Sequence, residues 1–262
     1  MRTAPLLLAT ALVLALAPAA QARKPSAREL AARQETRAAK IEAASVGTEV
    51  GDFDSFGRNL RFIGTMQSGN VSVQGDCTPD PSFPPGPDDR CVTANPAPAL
   101  TSFNVTDVAR VLIPGRSTHS IICHWQTPVV VYGFFNSTGV FQEDARFIVT
   151  PQYTIENEVL NDPALIDPAT GVAFGGRFQV GLTGIRRERS LQPGESQVER
   201  EAGTRTCIGG IVSAQMLRGF GLTDAQVTEF FKKDTTITMG MTGQAKLVEF
   251  ANIIYGVRFV GD

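Results

Sequence analysis

The sequence predicts a mainly β protein, an antiparallel β-sandwich of the Ig-like or jelly-roll type with a short helical excursion near the C-terminus. Three observations predict it. Short runs of apolar and β-branched residues alternate with polar ones, as in Phe178, Val180 and Leu182 against Arg177, Gln179 and Thr183. Clusters of Gly, Pro, Asn and Asp separate these runs, as at Asn136-Ser137-Thr138-Gly139 and Pro193-Gly194. The pattern changes to a helical period only after Cys207.

The N-terminal residues predict export. Arg2 supplies a positive n-region, Leu6 to Leu16 an apolar h-region, and Ala20-Gln21-Ala22 a cleavage site, giving a signal peptide over 1–22 cut after Ala22. That apolar run is well short of the roughly 20 residues that span a bilayer, and the C-terminus carries no hydrophobic tail, so no transmembrane anchor is expected. The destination is the periplasm or the extracellular space. Residues 23–46 are rich in Ala, Arg, Lys and Glu, with Leu30 and Ile41 as the large apolar side chains, and read as a solvated helix or disordered arm. A basic arm for a membrane surface or partner is the functional alternative. A single domain is expected over 47–262.

The chain carries 24 basic and 26 acidic residues, a formal net charge of −2. This balance argues against a nucleic-acid partner. Four cysteines in an exported chain read as two disulfides, with three pairings formally open. Cys77 and Cys91 enclose a proline-rich stretch, within a loop over 76–100, that cannot pack a core; a bridge across it contributes about 3 kcal/mol in the chain-entropy model. Cys123 alternates with Ile121 and Trp125 on what reads as an inward strand face, and its expected partner is Cys207 in the other sheet.

The run from Ser117 to Phe135 is the most apolar beyond the leader and reads as two strands separated by Pro128, the second buried on both faces. Ahead of it, Leu60, Phe62 and Met66 alternate with polar residues, and Ser68-Gly69-Asn70 reads as a hairpin turn into Val71 and Val73. Ile113-Pro114-Gly115 and Leu191-Gln192-Pro193-Gly194 are similar turns that mark two corresponding edges. A helical excursion is expected over 212–233, with a first short helix ended by Gly219 or Gly221. Thr223-Asp224-Ala225-Gln226 then forms a capping box opening a second, with Val227, Phe230 and Phe231 on one face. The strands over 235–242 and 253–259 read as a closing antiparallel pair.

Candidate chemistry is sparse. Asp52 and Asp54 before Gly57 raise the question of calcium, but an EF-hand loop would need oxygen ligands where Phe56 and Ile63 stand, so only a looser site is conceivable against a turn-forming role. Asp162 and Asp167 pose the same question. His119 and His124 lie five apart and face opposite sides of a regular strand. Ile185-Arg186-Arg187-Glu188-Arg189 could meet an anionic glycan or form a solvated hairpin. No cofactor is expected. Among carboxylates, Asp52, Asp54, Glu156 and Glu158 are the candidates for a paired-carboxylate hydrolase.

The chain also resembles a group of functionally uncharacterised exported bacterial proteins over roughly residues 47 to 262. The resemblance rests on Gly51-Asp52 with Asp54-Ser55-Phe56-Gly57-Arg58-Asn59, Asn95-Pro96-Ala97-Pro98-Ala99, Asp162-Pro163 with Asp167-Pro168, Thr170 and Gly171, Leu191-Gln192-Pro193-Gly194-Glu195-Ser196, Cys207-Ile208-Gly209-Gly210, and Tyr255-Gly256. It implies export and a single domain, and it carries no activity. The functional expectation is therefore an exported β-sandwich that binds a protein or glycan partner or has a structural role, with a carbohydrate-active hydrolase as the alternative.

Overall fold

Antiparallel pairing of long, alternating strands produces two sheets in the computed structural model, which describes residues 61–82, 84–203 and 210–262. These residues all fall within the unit Gly47–Asp262. Sheet A holds β1 (Arg61–Gln67), β2 (Val71–Gln74), β3 (Arg90–Thr93), β5 (Ser120–Phe135), β9 (Ser196–Ala202), β10 (Val212–Ser213) and β12 (Val248–Gly261). Sheet B holds β4 (Thr101–Ile113), β6 (Gln142–Asn157), β7 (Arg177–Gly181), β8 (Ile185–Leu191) and β11 (Thr235–Lys246). The expected mainly β sandwich is thus observed.

The sheets face each other through their apolar sides. Tyr132 of β5 stacks on Phe147 of β6 at 4.5 Å, and the Tyr153 ring of β6 meets Phe259 of β12 edge-on at 5.8 Å. All four rings are fully buried. Ile237, Met239 and Met241 point inward from β11, with Thr236, Thr238 and Thr242 on its other face, as the period-2 pattern predicts. Between the helical residues and the sheets, α1 (Ala214–Gly219) is capped by Ser213, and α2 (Asp224–Lys232) opens on a complete capping box of Thr223 and Gln226. Val227, Phe230 and Phe231 of α2 are buried.

Several expectations are corrected. Pro128 does not divide the Ser117–Phe135 run. β5 is one strand of 16 residues, and Pro128 sits where the ladder to β9 begins, next to the Val129–Ala202 pair. A register shift in the β5–β12 ladder pairs Arg258 with Trp125 but Phe259 with Cys123, leaving His124 as an extra residue. This bulge turns Trp125 outward and Gln126 inward, so Ile121 and Cys123 share the core without Trp125. Ser68-Gly69-Asn70 is not a hairpin: β1 and β2 run in line, both pairing with β12. Finally β11 and β12 do not pair. Leu247, with φ +57°, carries the chain from sheet B to sheet A, and each strand then becomes central in its own sheet.

Cys77 and Cys91 form a disulfide that closes the proline-rich loop. Cys123 is buried and disulfide-bonded. Its expected partner Cys207 lies outside the described residues, as do the signal peptide, the 23–46 arm, and Asp52 and Asp54.

Candidate binding face

A sandwich presents two outer faces to solvent, and alternation along each strand fixes what they carry. On sheet B that face is mostly polar, with Leu112 as an exposed apolar side chain. Rows across it read Leu112, Thr236, Glu156 and Arg177, then Arg110, Thr238, Thr154 and Gln179, then Asn104, Thr242 and Thr150. Its charges at the far end are neutralised in place: Lys246 reaches Asp144 at 2.7 Å, and Glu188 is ion-paired with Arg146 at 3.1 Å and accepts from Arg186 at 2.8 Å. The Lys246 ammonium beside Asp144 holds that carboxyl below the usual carboxylate range.

The outer face of sheet A carries large apolar side chains, with the polar Thr65, Ser72, Thr127 and Asn252 among them. Trp125 is 42% exposed, Phe62 56%, Val129 38%, Phe135 36% and Val198 64%. Half-buried Val131, Phe250 and Ile254 fill the space between them, since Val129 pairs with Ile254 and Val131 with Asn252 in the β5–β12 ladder. At Gly133 the Phe250 ring lies close over the backbone, where a Cβ would stand 2.5 Å from its nearest atom. An aromatic ring thereby covers the strand at its one position without a side chain.

The charges on this face are arginines. Arg258 lies over the Phe62 ring at 5.3 Å, and Arg200 projects outward from β9. Neither has a carboxylate partner among the described residues. The acids of β9 are turned the other way, toward sheet B: Glu201 bonds Arg187, and Glu199 bonds Arg189 at 2.7 Å and accepts from the Tyr132 hydroxyl at 2.7 Å. Burial, with that bond, raises the Tyr132 hydroxyl above its ordinary value. Arg187 and Arg189, read in the sequence as a glycan patch or solvated hairpin, instead close the seam between the two sheet edges. Exposed Glu249 sits in the bulge at the start of β12, next to Phe250.

The carboxylate candidates Glu156 and Glu158 do come together. They line an open cleft of about 440 Å³ at the helical end of sheet B, with Asn157, Asn161, Gly175, Gly176, Arg177, Asp234 and Thr236. Asp234 had no sequence signal. Lys233 bonds Glu158 at 3.2 Å, and Asp234 accepts from the Gly115 N–H at 2.8 Å. Asn157, fully enclosed, donates to the carbonyls of Phe230 and Asp234 and to Thr235, tying α2 to the sheet. Asp162 and Asp167 shape turns, accepting from the N–H groups of Ala164 and Ala169. Among the described residues no group of three or more His, Cys, Asp or Glu side chains is placed to hold a metal ion.

His119 lies just before β5, and His124 is the extra residue of its bulge. His119 meets Phe231 of α2 edge-on at 6.4 Å, and burial followed by the Arg61 charge lowers its pKa, with Asp262 opposing. His124 packs against Trp125 at 4.7 Å. Among the described residues no helix is long and apolar enough to cross a membrane.

No protein-family model matches the chain, and no curated protein matches it. Solved structures with similarity include the T13 viral particle of infectious bursal disease virus, at 9% identity and a TM-score of 0.17, covering 76% of this chain and 35% of that one. A mutant VP2 protein of the same virus, from T=1 particles, has 10% identity and a TM-score of 0.19, covering 77% of this chain and 58% of that one. This chain thus spans about a third to three fifths of those capsid chains, and scores this low carry no argument about function.

Proposed function

We propose that this protein is an exported β-sandwich that works by binding through the outer face of sheet A. The carrying observation is the set of exposed or half-buried apolar side chains Phe62, Trp125, Val129, Ile254, Phe135 and Val198, all on the outer side of sheet A. Export is supported by the leader-like residues 1–22 and by the disulfide between Cys77 and Cys91. A Cys123–Cys207 bridge belongs to the same reading, since Cys123 is already disulfide-bonded.

The test replaces the centre of the face with polar residues that keep strand propensity, Val129→Thr with Ile254→Thr. Retention of the full chain in an envelope fraction of the host is then compared with wild type. Retention should fall while the melting curve stays cooperative; unchanged retention refutes the reading.

A second reading is favoured by one observation, the convergence of Glu156, Glu158 and Asp234 on a single cleft: a carbohydrate hydrolase using paired carboxylates. Turnover of a panel of glycosides that is abolished by Glu156→Gln or Glu158→Gln supports it. Absence of turnover by the wild-type chain removes it.

A further inference from the structure

We propose that the outer face of sheet A docks on a lipid surface bearing anionic headgroups, an inference that rests on the binding reading above and names its partner. Three observations select lipid. The centre of the face is mainly aliphatic, Val129, Val131, Val198 and Ile254, with Thr127 and Asn252 as the polar side chains beside them. Aromatic side chains, Trp125, Phe62, Phe250 and Phe135, surround that centre, the composition that rests at a membrane–water interface.

The third observation is charge. Arg200 and Arg258 project from the face without carboxylate partners among the described residues, while Glu199 and Glu201 of the same edge strand are turned into the seam with β8. Charges farther than about 10 Å away are screened at moderate ionic strength, so an approaching anionic surface meets these arginines at close range. A second copy of the chain is a poorer occupant: a two-fold contact through this face would bring the arginines of both copies together, with Glu249 as the acid near them. The face is a sheet surface and presses onto the interface without crossing it.

Trp125 is the single tryptophan of the chain, so its emission reports this face alone. The full chain is titrated with vesicles of phosphatidylcholine containing phosphatidylglycerol and, separately, with phosphatidylcholine alone, following Trp125 emission and co-sedimentation. The expected result is a blue shift and co-sedimentation with the anionic vesicles, weakened by salt. Arg200→Gln with Arg258→Gln should weaken binding on the order of 30-fold, and Val129→Thr with Ile254→Thr should abolish the blue shift. The leader and the 23–46 segment are identical in all variants, so the differences read the face.

Binding that is unchanged in both double variants overturns the proposal, because it then arises elsewhere in the chain. No shift with either vesicle also overturns it. If envelope retention still depends on Val129 and Ile254 in that case, the binding reading stands with a partner other than lipid; if retention is also unaffected, both fail together.

Discussion

The two outer faces of this sandwich are built on the same strand geometry and carry opposite chemistry. Sheet B presents threonine, glutamine and asparagine with charges that are neutralised among themselves, as in Lys246–Asp144 and Glu188 between Arg146 and Arg186. Sheet A presents Trp125, Val129, Ile254 and Phe250 with arginines that have no acid partner among the described residues. Core formation needs one apolar side per sheet, and both sheets have it in their inner residues. The second apolar side of sheet A is therefore surplus to folding, and that difference directs the functional reading to it.

The comparison breaks if the outward residues of sheet A are in fact part of the core, so the largest test sets the two sides of one strand against each other. Phe259 is fully buried beneath Tyr153. Phe259→Ala should cost about 3–5 kcal/mol and lower the melting temperature by roughly 10 °C or more. Arg258→Ala, one residue away and outward, should cost well under half of that, as followed by thermal melting. Equal losses would mean that the face is packed against something.

A smaller effect is expected at Gly133, where the apolar face touches its own backbone. An added Cβ would stand 2.5 Å from the Phe250 ring, whose displacement is easier than that of backbone. Gly133→Ala should cost about 1–2 kcal/mol and increase the exposure of Phe250. In a Phe250→Ala background the same change should become nearly neutral, a coupling that a double-mutant cycle measures.

How much of this could be read from the chain follows from where its local rules hold. Strand alternation over 235–242 and the Thr223–Gln226 capping box are written in neighbouring residues, and both elements form as read. The local Cys77–Cys91 staple is legible for the same reason. The bulge at His124 is not local information, because it is a mismatch between β5 and β12, strands more than a hundred residues apart; without it Trp125 reads as core. Sheet assignment is hidden likewise, since a single residue at Leu247 can either close a hairpin or pass the chain to the other sheet. The apolar outer face was visible as a run apolar on both sides after Pro128, and was assigned to a doubly covered core because the sequence does not say what lies against it. Of the cleft, Glu156 and Glu158 were legible only as carboxylates, and Asp234 joins them through tertiary packing.

The ends of the two sheets differ too, and pH sharpens that contrast. His119, beside β5, is half-buried against Phe231 and near Arg61, so its folded pKa lies below the unfolded value of about 6.5. Between those two values the unfolded chain binds more protons, and stability rises with pH. The melting temperature should therefore fall by a few degrees as pH drops from about 7.5 to 5.5, and His119→Gln should flatten that slope. A slope unchanged in the variant would place its origin in another group.

The smallest effects come from exchanging the chemistry of the two faces at single positions. On sheet B the Thr238 hydroxyl is buried between Arg110 and Thr154 in the ladder and has no hydrogen-bond partner. Thr238→Val removes an unsatisfied group and should be neutral or stabilising by up to about 1 kcal/mol. On sheet A, Val129→Thr adds a hydroxyl that water can reach and should move stability by no more than about 0.5 kcal/mol. Two conservative swaps of opposite sense, each tolerated by the fold, would show that neither face is polar or apolar for the sake of stability. A loss of 2 kcal/mol at Val129 would instead mean that its environment in the folded chain is dry, and the apolar face would then belong to the core and not to a partner.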